Sequence, residues 1–413
     1  MNMHHTAAAL ARPSPSVAGW KIPVAAWMVT AVFILSNSAT PLYLHWQRQF
    51  AFSSGTLTVI FAAYIIGLLG ALLVAGQLSD RLGRKAVLLP GFLIAMAACG
   101  LFVAASSVAA LIAARFLTGI AVGIIVSAGM AAVVDVGGPA RKRQASQAAS
   151  IAMVLGAGLG PLLAGTLAQQ MDHPVATIFG IELALLASAM VVMLTMPLPV
   201  PPRGGPGSDG DDGNATSWRL RLPSVPAQNR RDLALGVAVF APGLSATSFV
   251  LALGPALLSK LLHITSPLLA GGTACLMFLS ATGVQFAVKK LPIRTILLLG
   301  ATATALSMAA LIGAIHAAIP ALLLAAASLA GMGQGLGQLG GLTAIGMRVA
   351  DHRRAQANSL LNIGAYIPAG LLPVATGFLM DRAGMTLGAT TFAAALIVAA
   401  AAAACLVATR LPR

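Results

Sequence analysis

Two ionisable side chains stand inside apolar segments of the sequence, where they are the first candidates for chemistry. Arg115 lies about two turns inside one segment and Glu182 lies at a similar depth in another. A buried cation costs at least ~2.5 kcal/mol in a bilayer, so a carboxylate, backbone carbonyls or water must compensate for Arg115. A direct pair with Glu182 is one arrangement. The alternative for Arg115 is snorkelling to the outer surface. The alternative for Glu182 is to face a neighbouring helix or lipid headgroups.

Polar side chains also recur in pairs spaced one helical turn apart. These pairs are Asn37 with Thr40, Gln334 with Gln338, and Asn362 with Tyr366. Polar side chains in membrane helices face protein or a water-filled cavity, so we expect some of them to line a binding cavity. The alternative is hydrogen bonding between helices without a role in binding.

The elements that position these residues must be membrane helices. The chain is 58% hydrophobic and only 8% charged, which excludes a soluble globular domain. A bilayer core requires ~20 apolar residues per helix, and about twelve segments meet that criterion. They lie near 22–44, 56–76, 86–106, 108–134, 148–170, 175–196, 233–257, 266–288, 294–314, 318–345, 356–379 and 385–408. The sequence therefore predicts an all-α membrane protein with twelve transmembrane helices.

The net charge of +15 is explained by membrane topology. With both termini on the cytoplasmic side, most Lys and Arg fall in the tails and cytoplasmic loops, as the positive-inside rule requires. We therefore expect no nucleic-acid partner. The predicted layout is a cytoplasmic tail at 1–20, a six-helix bundle at 21–196, a cytoplasmic linker at 197–232 and a second six-helix bundle at 233–413.

The charged loop between the second and third segments carries a specific pattern. Gly83 suits the tight turn that two adjacent spans require, but one carboxylate among three cations exceeds what topology needs. The pattern resembles the signature G-x-x-x-D-R-x-G-R-K of the major facilitator superfamily; an ordinary basic hairpin is the alternative. The residues in register are Gly76, Asp80, Arg81, Gly83, Arg84 and Lys85.

The resemblance implies a role for several of these residues. Asp135 is expected to pair with Arg84, while Asp80 faces the positive N-terminal end of the eleventh helix. Such a latch would join the two halves on the cytoplasmic side and favour the outward-open state. Arg115 resembles the superfamily's fourth-helix arginine, which is linked to proton coupling in many antiporters.

The fifth helix carries a second motif, formed by Gly156, Gly160, Pro161 and Gly165. It resembles the G-x-x-x-G-P-x-x-G-G signature of drug-proton antiporters, with Ala164 at one glycine position. Small residues allow close helix packing and proline bends a helix, which suits a hinge between halves. Ordinary small-residue packing is the alternative in a chain with 43 glycines. The chain departs from the antiporter pattern at Leu44, where a second proline is common.

An internal repeat relates the two predicted bundles. Pro161 and Pro373 are 212 positions apart, and glycines keep the same offset at 119 and 331, 123 and 335, 158 and 370, and 165 and 377. A shared offset across several helices indicates two parallel, pseudo-symmetric six-helix halves, with the binding site between them.

These features predict a secondary transporter working by alternating access in the cell inner membrane. More narrowly, we expect a monomer that exports small amphipathic or toxic compounds in exchange for protons. A sugar or metabolite transporter of the same fold is the alternative, and a membrane sensor a further one. The sequence has no helical zinc motif, phosphate-binding loop or nucleophile–base arrangement, so no enzyme, cofactor or metal site is predicted.

Overall fold

The computed structural model describes residues 19–198, 229–288 and 290–410. Within these ranges the regular elements are all helical. The predicted tail at 1–20 and linker at 197–232 lie mostly outside the described residues. The helices are α1 (Lys21–Ser38), α2 (Tyr43–Phe50), α3 (Ser54–Leu82), α4 (Arg84–Val103), α5 (Val108–Ile124), α6 (Met130–Gln170), α7 (Pro174–Thr195), α8 (Arg230–Lys260), α9 (Pro267–Val288), α10 (Ile293–Ala317), α11 (Pro320–Arg348), α12 (Asp351–Ala383) and α13 (Met385–Arg410).

The described residues contain eleven continuous segments that are long and apolar enough to cross a membrane. One of them, Val108–Gln170, has 63 residues and would extend about 95 Å if straight, three times the thickness of a bilayer core. It is broken at Gly138, whose φ of +63° favours glycine, and at Arg141. The segment therefore supplies two spans, and the predicted twelve-helix membrane fold is confirmed.

The first span is longer than the sequence predicted. It was expected at 22–44, but the helical path continues through α2 to Phe50 after a 3₁₀ turn at Thr40–Leu42. Pro41 has no backbone N–H, so the α-helical hydrogen-bond pattern cannot pass through it unchanged. The added residues include His45 and Arg48, whose polarity hid this extension from a search for apolar runs.

Glycines set the crossings inside each half. A Cβ atom at Gly119 of α5 would collide with the carbonyl oxygen of Tyr64 in α3. In the second half, a Cβ at Gly331 of α11 would collide with the carbonyl of Met277 in α9 in the same way. Because Gly119 and Gly331 are related by the 212-residue offset, the same close helix crossing is built in both halves.

Replacing Gly119 with valine is expected to destabilise the folded protein by about 1–3 kcal/mol, since the new side chain must push α3 and α5 apart. Gly180 of α7 is the matched control, because a Cβ there meets nothing within 4 Å. Thermal unfolding in detergent should show a lower transition temperature for Gly119→Val and little change for Gly180→Val. Equal stability of both variants would contradict the packing role of Gly119.

Candidate functional site

Arg115 is fully buried, with 0% of its surface exposed. Its Nη1 atom donates a hydrogen bond of 2.7 Å to the carbonyl oxygen of Ser36 in α1. Its Cζ atom lies 4.7 Å from the ring centroid of Tyr64 and 5.4 Å from that of Phe61, both in α3. A backbone carbonyl and two aromatic faces therefore compensate for the buried cation, and the snorkelling alternative is wrong.

The three tyrosines of the chain form a connected group that begins at this arginine. Tyr43 is close enough to interact with the charge of Arg115, and Tyr64 packs against the guanidinium. Tyr366 comes from α12 in the other half and interacts with Tyr64. Arg115 is therefore connected to the contact between the halves through Tyr64. Tyr366 was among the residues predicted from the sequence, whereas Tyr43 and Tyr64 were not; the rarity of tyrosine in the chain was the available signal.

Several buried polar atoms around Arg115 have no hydrogen-bond partner among the described residues. They are Nε and Nη2 of Arg115 and the hydroxyl of Tyr43. A buried polar group without a partner costs about 1–3 kcal/mol. This group of atoms is therefore able to bind water or the polar atoms of a ligand.

Glu182 occupies a separate buried position, with 4% of its surface exposed. It lies close to Ser38 of α1 and Cys99 of α4, and its two carboxylate oxygens have no hydrogen-bond partner among the described residues. Arg115 binds the carbonyl oxygen of Ser36. Because Ser36 and Ser38 are two residues apart, they lie about 200° apart around the axis of α1. Helix α1 therefore separates Arg115 from Glu182, and the two side chains do not form an ion pair.

An aromatic cluster covers the Glu182 site. Phe179, one turn before Glu182 in α7, stacks on Phe102 of α4 with ring centroids 4.4 Å apart. Phe102 in turn stacks on the buried Trp46 of α2 at 5.5 Å. Phe179 is three residues from Glu182 and Phe102 is three residues from Cys99, so the stacked rings lie next to the Glu182 site.

The remaining predicted polar residues divide into two groups. Asn37 is buried and donates to the Ser36 hydroxyl at 2.9 Å, which places it beside the Arg115 cluster. Asn362 donates to the Asn358 carbonyl within α12 at 3.0 Å. Gln334 and Gln338 are half-buried in α11. The structure thus places Asn37 beside Arg115 and connects Tyr366 to it through Tyr64. Thr40 instead faces α8 and α9 of the other half, and its hydroxyl has no hydrogen-bond partner among the described residues.

The charged loop is organised by Arg84. Its Nε atom donates to Asp135 at 2.9 Å, and its Nη1 atom donates to Asp80 at 2.9 Å. The expected pair of Asp135 with Arg84 is therefore present. Gly83 has a φ of +90° and ends α3. The Asp80 side chain is 71% exposed, so it is not buried against the opposite half in this conformation.

Two further cations of this loop point elsewhere. Lys85 donates from Nζ to the carbonyl oxygen of Leu194 at the end of α7, at 2.7 Å. Lys85 therefore joins α4 to α7 within the first half rather than bridging to the second. Arg81 is exposed in the last turn of α3. Gly76, the first glycine of the motif, has open space around the position of a Cβ atom.

Helices α3 and α12 are close at one end and apart at the other. A Cβ atom at Gly377 of α12 would collide with the Thr58 hydroxyl of α3. Gly76 lies five turns further along the same face of α3, where a Cβ would meet nothing within 4 Å. The halves are therefore closed at the Thr58 end and separated at the end that carries Asp80.

The glycine and proline motif of α6 faces two different neighbours. Cβ atoms at Gly156 and Gly160 would collide with the backbone of α1 in the same half. Gly165 instead packs against Pro267 of α9, and the Pro161 carbonyl packs against Gly271 of α9. Pro161 and Gly165 therefore lie at the contact between the halves, while Gly156 and Gly160 pack α6 against α1 within one half. The hinge role of the motif stays a prediction.

Comparison with protein families agrees with this architecture. The family model described as Major Facilitator Superfamily matches residues 25–292. The chain also superposes on solved structures of two transporters. For nucleoside transporter NupG, the TM-score is 0.71 at 13% identity, over 95% of this chain and 99% of NupG. For a bacterial homologue of the human lysosomal transporter Spinster, the TM-score is 0.74 at 14% identity, over 95% and 97%. At these identities the likeness shows the fold.

Two curated relatives match shorter stretches. Multidrug resistance protein MdtL of Escherichia coli is 40% identical over 74 residues, which is 17% of this chain and 18% of MdtL. Chloramphenicol resistance protein CraA of Acinetobacter baumannii is 33% identical over 103 residues, which is 25% of each protein. The matched part of this chain thus spans a quarter or less of either relative.

Proposed function

Because this chain belongs to the Major Facilitator Superfamily and is a transporter, we propose that it exports small amphipathic or toxic compounds in exchange for protons. The observation that carries the proposal is the buried Arg115 near the contact between the halves, with a backbone carbonyl rather than a carboxylate as its hydrogen-bond partner among the described residues. The partial matches to MdtL and CraA, whose names state drug resistance, support export.

The proposed coupling uses two groups. Glu182, the single glutamate of the chain, is the carboxyl group that gains and loses the proton. Arg115 provides a fixed positive charge next to Tyr64, which in turn interacts with Tyr366 of the other half, so a substrate bound between the halves experiences the electric field of Arg115. Ser36 and Ser38 on opposite faces of α1 connect the two sites. A shift of α1 on substrate binding would therefore change both environments.

We place the protein in the cell inner membrane as a monomer with both termini in the cytoplasm. The positive-inside rule supports this orientation, since Arg84, Lys85, Arg141 and Lys142 then face the cytoplasm. In this orientation the conformation described above opens toward the cytoplasm, the side from which an exporter loads its substrate.

A metabolite transporter is the second candidate. Gln334 and Gln338 have half-buried side chains spaced one turn apart in α11, and amides are suited to binding sugar or nucleoside hydroxyls. Such a protein would use the same fold but would recognise its substrate mainly by hydrogen bonds.

The test is proton movement in sealed proteoliposomes that contain a pH-sensitive dye. The purified full-length chain is challenged with a panel of amphipathic drugs and a matched panel of sugars and nucleosides. Drug-triggered proton movement is the expected result. Movement triggered only by sugars or nucleosides would replace the proposal with the metabolite transporter, and no movement with any compound would reject proton coupling to these substrates.

A further inference from the structure

We propose that Asp381 is a latch that closes the outer end of the contact between α3 and α12 in the conformation described here. It alternates with the cytoplasmic latch that the resemblance implies for Asp80, which closes only after Asp381 has released α3. The proposal rests on the alternating-access part of the proposed function and adds Asp381, a residue that lies outside the sequence motifs described above.

The two helices end in the same way. Helix α3 ends in Asp80-Arg81-Leu82-Gly83, and α12 ends in Asp381-Arg382-Ala383-Gly384. The terminating glycines have nearly identical backbones, with φ and ψ of 90° and 157° at Gly83 and 91° and 154° at Gly384. Each aspartate therefore sits at the same position relative to its helix end.

Asp381 is engaged with the other half. Its Oδ1 atom accepts a hydrogen bond of 2.9 Å from the backbone N–H of Ser54, and its Oδ2 atom accepts one of 2.8 Å from that of Gly55. These are the first two N–H groups of α3, which have no partner within the helix and lie at its positive end. A carboxylate from α12 thus binds the N-terminus of α3 with both of its oxygens.

The approach is close enough to require glycine. A Cβ atom at Gly55 would lie 2.7 Å from Oδ2 of Asp381 and 2.8 Å from the Phe378 ring. A Cβ at Gly377 would lie 2.8 Å from the Ser54 carbonyl oxygen. The backbones of the two helices meet directly, so the carboxylate reaches the N–H groups without an intervening side chain.

Asp80 is in the opposite situation. It bonds to Arg84 in its own half and its side chain is 71% exposed. Helices α3 and α12 run antiparallel, so the aspartate at the end of each helix faces the start of the other. Because the helices are in contact near Thr58 and separated near Gly76, one aspartate is engaged and the other is not.

The pseudo-symmetric contact at the outer end is neutral. The 212-residue offset relates Ser54 to Ser266 and Asp381 to Gln169. There the Ser266 hydroxyl donates to Oε1 of Gln169 at 2.8 Å. Pro267 takes the place of Gly55 and has no N–H, so a second donor is missing. The charged contact of Asp381 is therefore the stronger of the two outer contacts.

The test measures both ends of the molecule by pulsed electron paramagnetic resonance. Spin labels are placed across the outer end at Ser106→Cys and Ile319→Cys, or across the cytoplasmic end at Lys142→Cys and Met347→Cys. The full chain is used in nanodiscs, with Cys99, Cys275 and Cys405 replaced by alanine. Asp381→Asn removes one acceptor oxygen while keeping the shape of the side chain, and Asp172→Asn is the matched control in a nearby outer loop.

Asp381→Asn is expected to raise the ratio of outward-open to inward-open molecules about tenfold or more, a typical coupling effect. Asp80→Asn should shift the ratio the other way, and the double variant should return toward the starting ratio. The control should leave both distances unchanged. Gly55→Ala crowds the same contact from α3 and should shift the ratio in the same direction as Asp381→Asn. It replaces Asp381→Asn in the measurement if that variant fails to fold.

Unchanged distances in Asp381→Asn and Gly55→Ala would overturn the proposal, as would a double variant that shows no compensation. The distances between the spin labels are measured without substrate and without a proton gradient. The outcome therefore does not depend on which compounds the protein carries or on whether protons drive it.

Discussion

Replacing Arg115 with alanine is expected to lower substrate-triggered proton movement at least about tenfold, within the range of coupling energies between linked sites. The variant removes the charge that the Ser36 carbonyl and the Tyr64 ring hold beside the contact between the halves. It also leaves the Tyr43 hydroxyl without its charged neighbour. Proteoliposomes with an internal pH dye measure the effect directly.

Two controls separate the charge of Arg115 from its shape. Arg115→Lys keeps the charge but loses the planar group that stacks on Tyr64, so only partial recovery is expected. Arg48→Ala removes an exposed arginine of α2 and should leave proton movement unchanged. All variants must show the same elution profile in detergent. Full proton movement in a folded Arg115→Ala protein would remove Arg115 from the coupling mechanism.

Glu182→Gln is expected to separate substrate transport from proton movement. Glutamine resembles a carboxyl group that permanently holds its proton, and the site around Ser38 and Cys99 already accommodates a side chain without an ionic partner. The protein should therefore fold and still exchange labelled substrate across the membrane. Proton movement should fall by about tenfold or more.

Asp172→Asn is the matched control for this prediction, because Asp172 is an exposed carboxylate in the loop between α6 and α7. It should behave like the unaltered protein in both assays. If Glu182→Gln retains undiminished proton movement, the coupling carboxyl group lies elsewhere. If it loses substrate exchange as well, Glu182 serves binding or folding rather than coupling alone.

The sequence by itself determined the class of fold and the family. Backbone polar groups in a bilayer must all be hydrogen-bonded, which leaves helices and closed barrels. Apolar segments of about 20 residues match the length of a membrane helix rather than that of a barrel strand. The repeat at an offset of 212 residues revealed the two halves because the same helix crossings require glycine in both. The pair of Arg84 with Asp135 was likewise accessible, since the charged loop follows a specific pattern.

Only the tertiary structure decided how the functional groups are combined. The spacing of Arg115 and Glu182 from their nearest loops placed them at one depth, yet α1 stands between them. Depth along a helix follows from sequence, whereas rotation about the helix axis depends on the packing of every neighbour. For the same reason only the folded chain shows that Tyr43 and Tyr64 lie beside Arg115 and that Tyr366 interacts with Tyr64.

The Asp381 contact shows most clearly what could not be predicted from the sequence alone. The repeated Asp-Arg-x-Gly ends of α3 and α12 were present in the sequence, but nothing local distinguishes an aspartate that binds the opposite half from one that stays in its own half. That difference depends on whether the two halves are near or apart at each end, and therefore on the conformation of the whole bundle. The tertiary structure decided that Asp381 binds the opposite half while Asp80 binds Arg84 of its own half, because the halves meet at the Ser54 end in this conformation.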